Sequence, residues 1–273
     1  VGRRAAGRAE QRARLTPVLG VTSSTIWYVD ATEPTGVLRG AIPDRESARA
    51  LAATLHPGLD VTYLGDEPLS DAVKPEPGEV VVGRYPGVAV VRTGEALPPT
   101  PSTLVEHWIR PTGATHTYLS SSTVHTAAGS WGAFAHWEDG ELKRSFSATP
   151  VHIIEDLGLP QVWERPYWAG EHPAPPVMDV LPDPQTLPFD PGAFAEAAPA
   201  AWLGDDLDLS SITVCRFAVH PTGQVPESVR RAQERLRAEQ ARAEQLRAEQ
   251  ARPEQAARPQ RRSLFARLFR RER

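Results

Sequence analysis

Lysine is nearly missing from this sequence: Lys74 and Lys143 are the whole complement, so 28 of the 30 basic residues are arginine. With abundant alanine and 27 prolines, that bias points to a GC-rich bacterial coding sequence. Cysteine occurs once, at Cys215, which excludes an intrachain disulfide and fits a reducing compartment. No run of about 18 apolar residues occurs, so no transmembrane helix is expected. The arginine-rich start before Leu15 mimics a signal peptide, but Thr22, Ser23, Ser24 and Thr25 interrupt the apolar stretch that would have to follow. Phosphate loops of the GxxxxGKS, GxxxxGKT or GxGxxG kind are absent, as are the HxH, HxxxH and HExxH spacings of metal sites and the GxSxG elbow of hydrolases. No cofactor and no metal are therefore expected.

The net charge of -4 conceals an asymmetry. Residues 15–222 hold 11 basic and 26 acidic side chains, a net of -15, whereas residues 1–14 carry +4 and residues 223–273 carry +7. An acidic body repels nucleic-acid phosphates and anionic lipid, so attraction to either must come from the ends. No nucleic-acid partner is expected. Residues 1–14 read as a disordered basic N-terminus and 15–222 as a single globular domain. Residues 223–255 read as a charged helix, and 256–273 as a linker with a basic amphipathic segment.

Within the body the fold class reads as α+β, a mixed and mostly antiparallel sheet with a few short helices. Val18 to Asp30 is dense in β-branched and aromatic residues and should form one or two strands at the centre of the sheet. Asp44 can cap a helix whose Ala48, Leu51, Ala52 and Leu55 share a face, with Pro57-Gly58 stopping it and a strand at Val61 to Leu64 after it. Tyr85-Pro86-Gly87 sets a type II turn between two apolar runs. Pro101 to Ile109 reads as one short helix capped by Thr100. Trp131 to Phe146 alternates through an Asp139-Gly140 turn with large side chains on both faces, the pattern of a hairpin inside a covered sheet. Val151 to Ile154 adds a strand. Asp190-Pro191 starts an alanine-rich helix that Pro199 should interrupt, and Ile212 to Val219 is a last strand with Cys215 facing the core.

The most crowded stretch is WERPYWAGEHP, Trp163 to Pro173, which reads as an ordered loop clamped to the surface by its three rings. Its Arg165, Trp168, Glu171 and His172 are the candidate ligand-binding residues, at the mouth of a pocket beneath the loop. Catalytic residues are not assigned. Ser120 to Ser122 could supply a nucleophile only with a histidine beside them, and the acid pairs Glu138-Asp139 and Glu155-Asp156 read as solvated.

Five blocks carry a resemblance: VVGRYPGVAVV at 81–91, AFAHWEDGELKRS at 133–145, HIIEDLG at 152–158, PYWAGEHP at 166–173 and LPFDP at 187–191. On these the sequence resembles an uncharacterised actinobacterial family built on a domain of unknown function. The resemblance implies a domain over roughly Thr25 to Val219, and no reaction. Where that family places histidines after a Tyr-Leu pair, Tyr118-Leu119 is followed here by Ser120, Ser121, Ser122 and Thr123, so no histidine site is carried over.

The tail repeats RAEQ at a five-residue step, which advances about 140° around a helix and winds Ala241, Leu246 and Ala251 about it rather than aligning them. Pro226 should start this helix and Pro253 end it, with Glu239–Arg242, Glu244–Arg247 and Glu249–Arg252 as supporting pairs and a weak coiled coil as the alternative to a solvated helix. Beyond it, Leu264, Phe265, Leu268 and Phe269 share one arc among arginines, a candidate contact for an anionic membrane or a protein partner. Two functional expectations follow. The first is a cytoplasmic, non-catalytic interaction or adaptor module with a helical spacer, peripheral at the inner membrane face if the last segment binds lipid. The alternative is a small-molecule-binding domain or enzyme using the pocket under the aromatic loop.

Overall fold

The computed structural model describes residues 22–95, 97–123, 130–174 and 185–256. The basic N-terminus, His125 and the amphipathic segment with Leu264, Phe265, Leu268 and Phe269 lie outside the described residues. The described residues fall into two units, a body ending at Pro226 and a helix that begins at Glu227.

Among the described residues the body is built on nine strands: β1 (Thr22–Val29), β2 (Asp60–Pro68), β3 (Glu79–Tyr85), β4 (Val88–Thr93), β5 (His116–Thr123), β6 (Gly132–Glu138), β7 (Glu141–Thr149), β8 (His152–Gly158) and β9 (Thr213–His220). They form one sheet in the order β2-β9-β3-β4-β1-β5-β6-β7-β8, each neighbouring pair antiparallel. With its helices this is the α+β class expected, and β1 is the central strand. The β3–β4 turn carries Gly87 at φ 70°, as a type II turn requires. Asp139 and Gly140 both adopt positive φ, the turn geometry that matches strand twist in a two-residue hairpin.

Both faces of the sheet are covered, so its central strands are buried on each side. On one face lie α2 (Arg45–Leu55), capped by the Asp44 carboxylate accepting from the Glu46 and Ser47 amides, and α3 (Glu106–Ile109). Ala48, Leu51, Ala52 and Leu55 pack there in one cluster with Val80, Val82, Cys215 and Phe217. The expected helix over 101–109 is broken in two, a 3-10 turn at Pro101–Thr103 and then α3, because Leu104 is extended (ψ 134°) and Thr100 makes no side-chain cap. Tyr28 Oη donates to the Trp108 carbonyl at 2.7 Å and pins α3 to the sheet.

The opposite face carries α1 (Pro34–Leu38), α4 (Arg165–Trp168) and α5 (Pro191–Leu203). Pro199 lies inside α5 without ending it. The missing N–H forfeits one bond, at a cost of about 3 kcal/mol, while Leu203 beyond it is buried in the core and holds the last turn in place.

The helix unit is α6, Glu227–Ala256. Its 30 residues span about 45 Å at 1.5 Å per residue. It runs through Pro253, where an end was expected; one absent hydrogen bond three residues from the terminus leaves its turn helical. Among its described side chains the ion pairs are Glu227 with Arg230 and Arg231, and neither Glu239–Arg242 nor Glu244–Arg247 comes within 4 Å; Glu249–Arg252 lies outside the described side chains. No helix among the described residues is long and apolar enough to cross a membrane.

Candidate functional site

The aromatic segment is helical where a loop was expected. A 3-10 turn at Val162–Glu164 runs into α4, with Pro166 in its first turn, where a missing N–H costs nothing, and Gly170 at φ 76° just after it. Its anchor is Glu164, fully buried, whose carboxylate accepts from Arg144 Nε at 2.9 Å and Nη2 at 2.8 Å. Arg144 also bonds Asp156, so that residue is an ion-pair partner and not merely solvated. Glu155 likewise accepts from the Ser102 amide and hydroxyl and from Ser145 Oγ. Burying either charge of the Arg144–Glu164 pair without the other would cost several kcal/mol, and the two-bond geometry compensates both.

The four residues proposed for ligand binding lie on α4 and just beyond it. Arg165, Glu171 and His172 are exposed, and the His172 ring stacks on Tyr167 at 4.3 Å. Trp168 is half-buried, edge-on to Phe189 at 5.0 Å and to Phe146 at 5.8 Å. Trp163, Tyr167 and Trp168 pack onto a cluster of Phe134, Phe146, Phe189 and Phe194, a structural role for the rings.

A polar network crosses from this segment to β5 and β6. Gln161 Oε1 accepts from Trp163 Nε1 at 2.8 Å and Trp202 Nε1 at 2.9 Å, which fixes its amide orientation. Gln161 Nε2 is then the donor to His136 Nδ1 at 3.3 Å, so His136 carries its proton on Nε2 and donates to His116 Nδ1 at 3.2 Å. Burial first, then His116 and Lys143, lower the His136 pKa to about 4. Two mutually bonded imidazoles are not a metal site: no group of three possible ligands occurs among the described residues. Cys215 is buried, and burial followed by Asp66 pushes its thiol up to about 12, which leaves it protonated and inert.

A cleft of about 390 Å³ lies instead between α5 and the sheet. Its floor is Ser23, Thr25 and Trp27 of β1 with Ser120 and Ser122 of β5, and Arg92 of β4 lies beside them. Ala195, Glu196, Pro199 and Ala200 of α5 form one wall; Val73, Ser121, Leu207 and Leu209 complete the lining. The β1–β4 register sets Arg92 opposite Thr25, and the β1–β5 register sets Ser120 opposite Thr25, so strand alternation alone brings these three polar groups together.

Arg92 Nε donates to Thr25 Oγ1 at 2.9 Å, and Nη1 donates to the carbonyls of Leu69 at 2.8 Å and Ala72 at 3.3 Å. Nη2 takes no part in these bonds. Burial lowers the pKa of this guanidinium, with a weaker opposing pull from Glu67. Glu67 is committed to Arg216 at 2.7 Å, and no carboxylate among the described residues pairs with Arg92 within 4 Å. Beneath the floor, Trp27 Nε1 is buried without a hydrogen-bond partner among those residues. At the wall, Glu196 Oε1 accepts from Ser122 Oγ at 3.0 Å.

Of the polar groups in the cleft, Ser120 and Ser122 are expected from the sequence as possible nucleophiles, whereas Arg92 and Glu196 belong to no motif. The available signal was alternation: Val88, Val90 and Arg92 share one face of β4, and an arginine on an otherwise buried apolar face needs a reason. A family model described as a family of unknown function (DUF6928) matches residues 23–217. No curated protein and no solved structure matches the chain.

Proposed function

The chain belongs to this family of unknown function, and we propose that its body is a binding domain for a small anionic molecule, held in the cleft between α5 and the sheet with Arg92 as its anchor. The observation that carries the reading is a partly buried guanidinium with three donor bonds to neutral oxygens and no carboxylate partner among the described residues. A desolvated charge without a counter-ion is costly, and an anion offsets that cost through charge-assisted hydrogen bonds. The cleft is at the small end of the range for ligand sites, about 300–1,000 Å³. Binding is favoured over catalysis because no imidazole hydrogen-bonds Ser120 or Ser122 among the described residues, and His116 and His136 bond each other.

The reading is tested by thermal unfolding of the full chain with acetate, longer carboxylates and inorganic phosphate at matched ionic strength. A ligand at a hundred times its Kd should stabilise by about 2.7 kcal/mol. Arg92→Gln should fold, as its melting without ligand will report, and lose that response. No stabilisation by any anion, or an equal response in the variant, would overturn it.

A second reading rests on a separate observation. The edge strand β8 exposes Ile153 and Leu157, and Leu159 and Val162 just beyond it are 86% and 76% exposed, an apolar border suited to a protein partner. On this reading the chain is an interaction or adaptor module with α6 as a spacer. A cytoplasmic setting is supported by the lone, reduced Cys215. Peripheral contact with an anionic membrane is proposed only through the segment holding Leu264, Phe265, Leu268 and Phe269.

A further inference from the structure

Two charges line the Arg92 cleft, and they have opposite signs. Arg92 sits on the sheet side beside Thr25, whereas Glu196 stands on the α5 wall, with one carboxylate oxygen accepting from Ser122 and the other taking no part in that bond. The apolar side chains of Val73, Ala195, Pro199, Ala200, Leu207 and Leu209 line the same cleft. A ligand carrying only negative charge would meet Arg92 favourably and Glu196 unfavourably. The surroundings add to this, since residues 15–222 carry a net of -15, and a dianion such as phosphate is repelled by that field.

We infer that the ligand is zwitterionic, a compact molecule of the α-amino-acid class, with its carboxylate on Arg92, its ammonium toward Glu196 and an apolar side chain against α5 and the Leu207–Leu209 wall. This rests on the binding role proposed above and deepens it. The hydroxyls of Ser23, Thr25 and Ser120 can accept from or donate to either end, so they orient the ligand without fixing its charge. The two charged groups make the choice: a carboxylate without the amine leaves Glu196 facing an apolar or anionic neighbour, and an amine without the carboxylate leaves Arg92 uncompensated.

Isothermal titration of the full chain at constant ionic strength separates the possibilities. The probes are leucine, methionine and phenylalanine, each beside the deaminated carboxylic acid of the same side chain, with inorganic phosphate as a further arm. At least one amino acid should bind about threefold or more tighter than its deaminated acid, the gain expected of one partly exposed ion pair. Glu196→Gln, at an exposed position with little bearing on folding, should close that gap. Equal or tighter binding of the deaminated acid, a preference for phosphate, or a gap that survives in Glu196→Gln would overturn the inference while leaving an anion site at Arg92. If no probe binds, phosphate included, the anion site itself falls, and this inference with it.

Discussion

Trp168 shows how a single residue can be conspicuous in a sequence and modest in energy. Its ring is half-buried against Phe146 and Phe189, and its Nε1 is buried without a hydrogen-bond partner among the described residues. Trp168→Ala removes the packing and should cost about 2–3 kcal/mol, below the range for a fully buried ring. Trp168→Phe keeps most of the packing and removes the unsatisfied donor, so it should stay within about 1 kcal/mol of the parent. Urea denaturation of both variants checks this; equal losses would show that the indole N–H has a role the geometry does not assign. His136 carries a second prediction. Its folded pKa is lowered to about 4, so between about pH 6.5 and 4 the unfolded chain takes up a proton that the native state refuses. Stability should therefore fall as pH falls through that window, and His136→Gln should flatten the fall. Parallel pH profiles of the urea midpoint in the two proteins would contradict it.

Elements were legible where a local rule dictated them. The Asp44 cap, the Pro86-Gly87 turn and the Asp139-Gly140 turn each follow from backbone preferences carried by one or two residues, and each stands where expected. Proline was over-read as a stop: α5 and α6 run through Pro199 and Pro253, because one lost hydrogen bond is a smaller term than a turn already held by packing or close to its end. The cleft was harder to read, since its floor joins β1, β4 and β5 with a helix that comes some 70 residues after β5, and no local pattern encodes that approach. Gly132 is what lets it happen. A Cβ at that position would stand 1.8 Å from the Pro191 carbonyl oxygen, so the start of α5 can lie on β6 only if the residue is glycine. Gly132→Ala should push that end of α5 outward, at a cost of about 1–3 kcal/mol or more. The same variant should weaken anion binding, because α5 is a wall of the cleft. Unchanged stability and binding would show that the helix has room to spare.

Charge is distributed unevenly along the whole chain, with an acidic stretch at residues 15–222 between two basic ends. The change from an acidic stretch to a basic one near residue 223 lies within a few residues of the boundary between the two units at Pro226. The acidic body makes an unpaired arginine in a cleft more telling than it would be on a basic surface, since 26 carboxylates lie between residues 15 and 222 and none of those described pairs with Arg92. Sequence composition pointed away from nucleic acid but said nothing of this exception, because pairing is a property of the fold. The most direct test uses Trp27, which lines the cleft and whose indole Nε1 is buried beneath it without a hydrogen-bond partner among the described residues. In a nitrogen-15 spectrum of the full chain, with the seven indole resonances resolved and Trp27 assigned by Trp27→Phe, a carboxylate and amino-acid series is titrated at constant ionic strength. The account predicts a saturable shift of the Trp27 resonance that is lost in Arg92→Gln. Shifts confined to Trp163 and Trp168, or a Trp27 response that survives in Arg92→Gln, would contradict it.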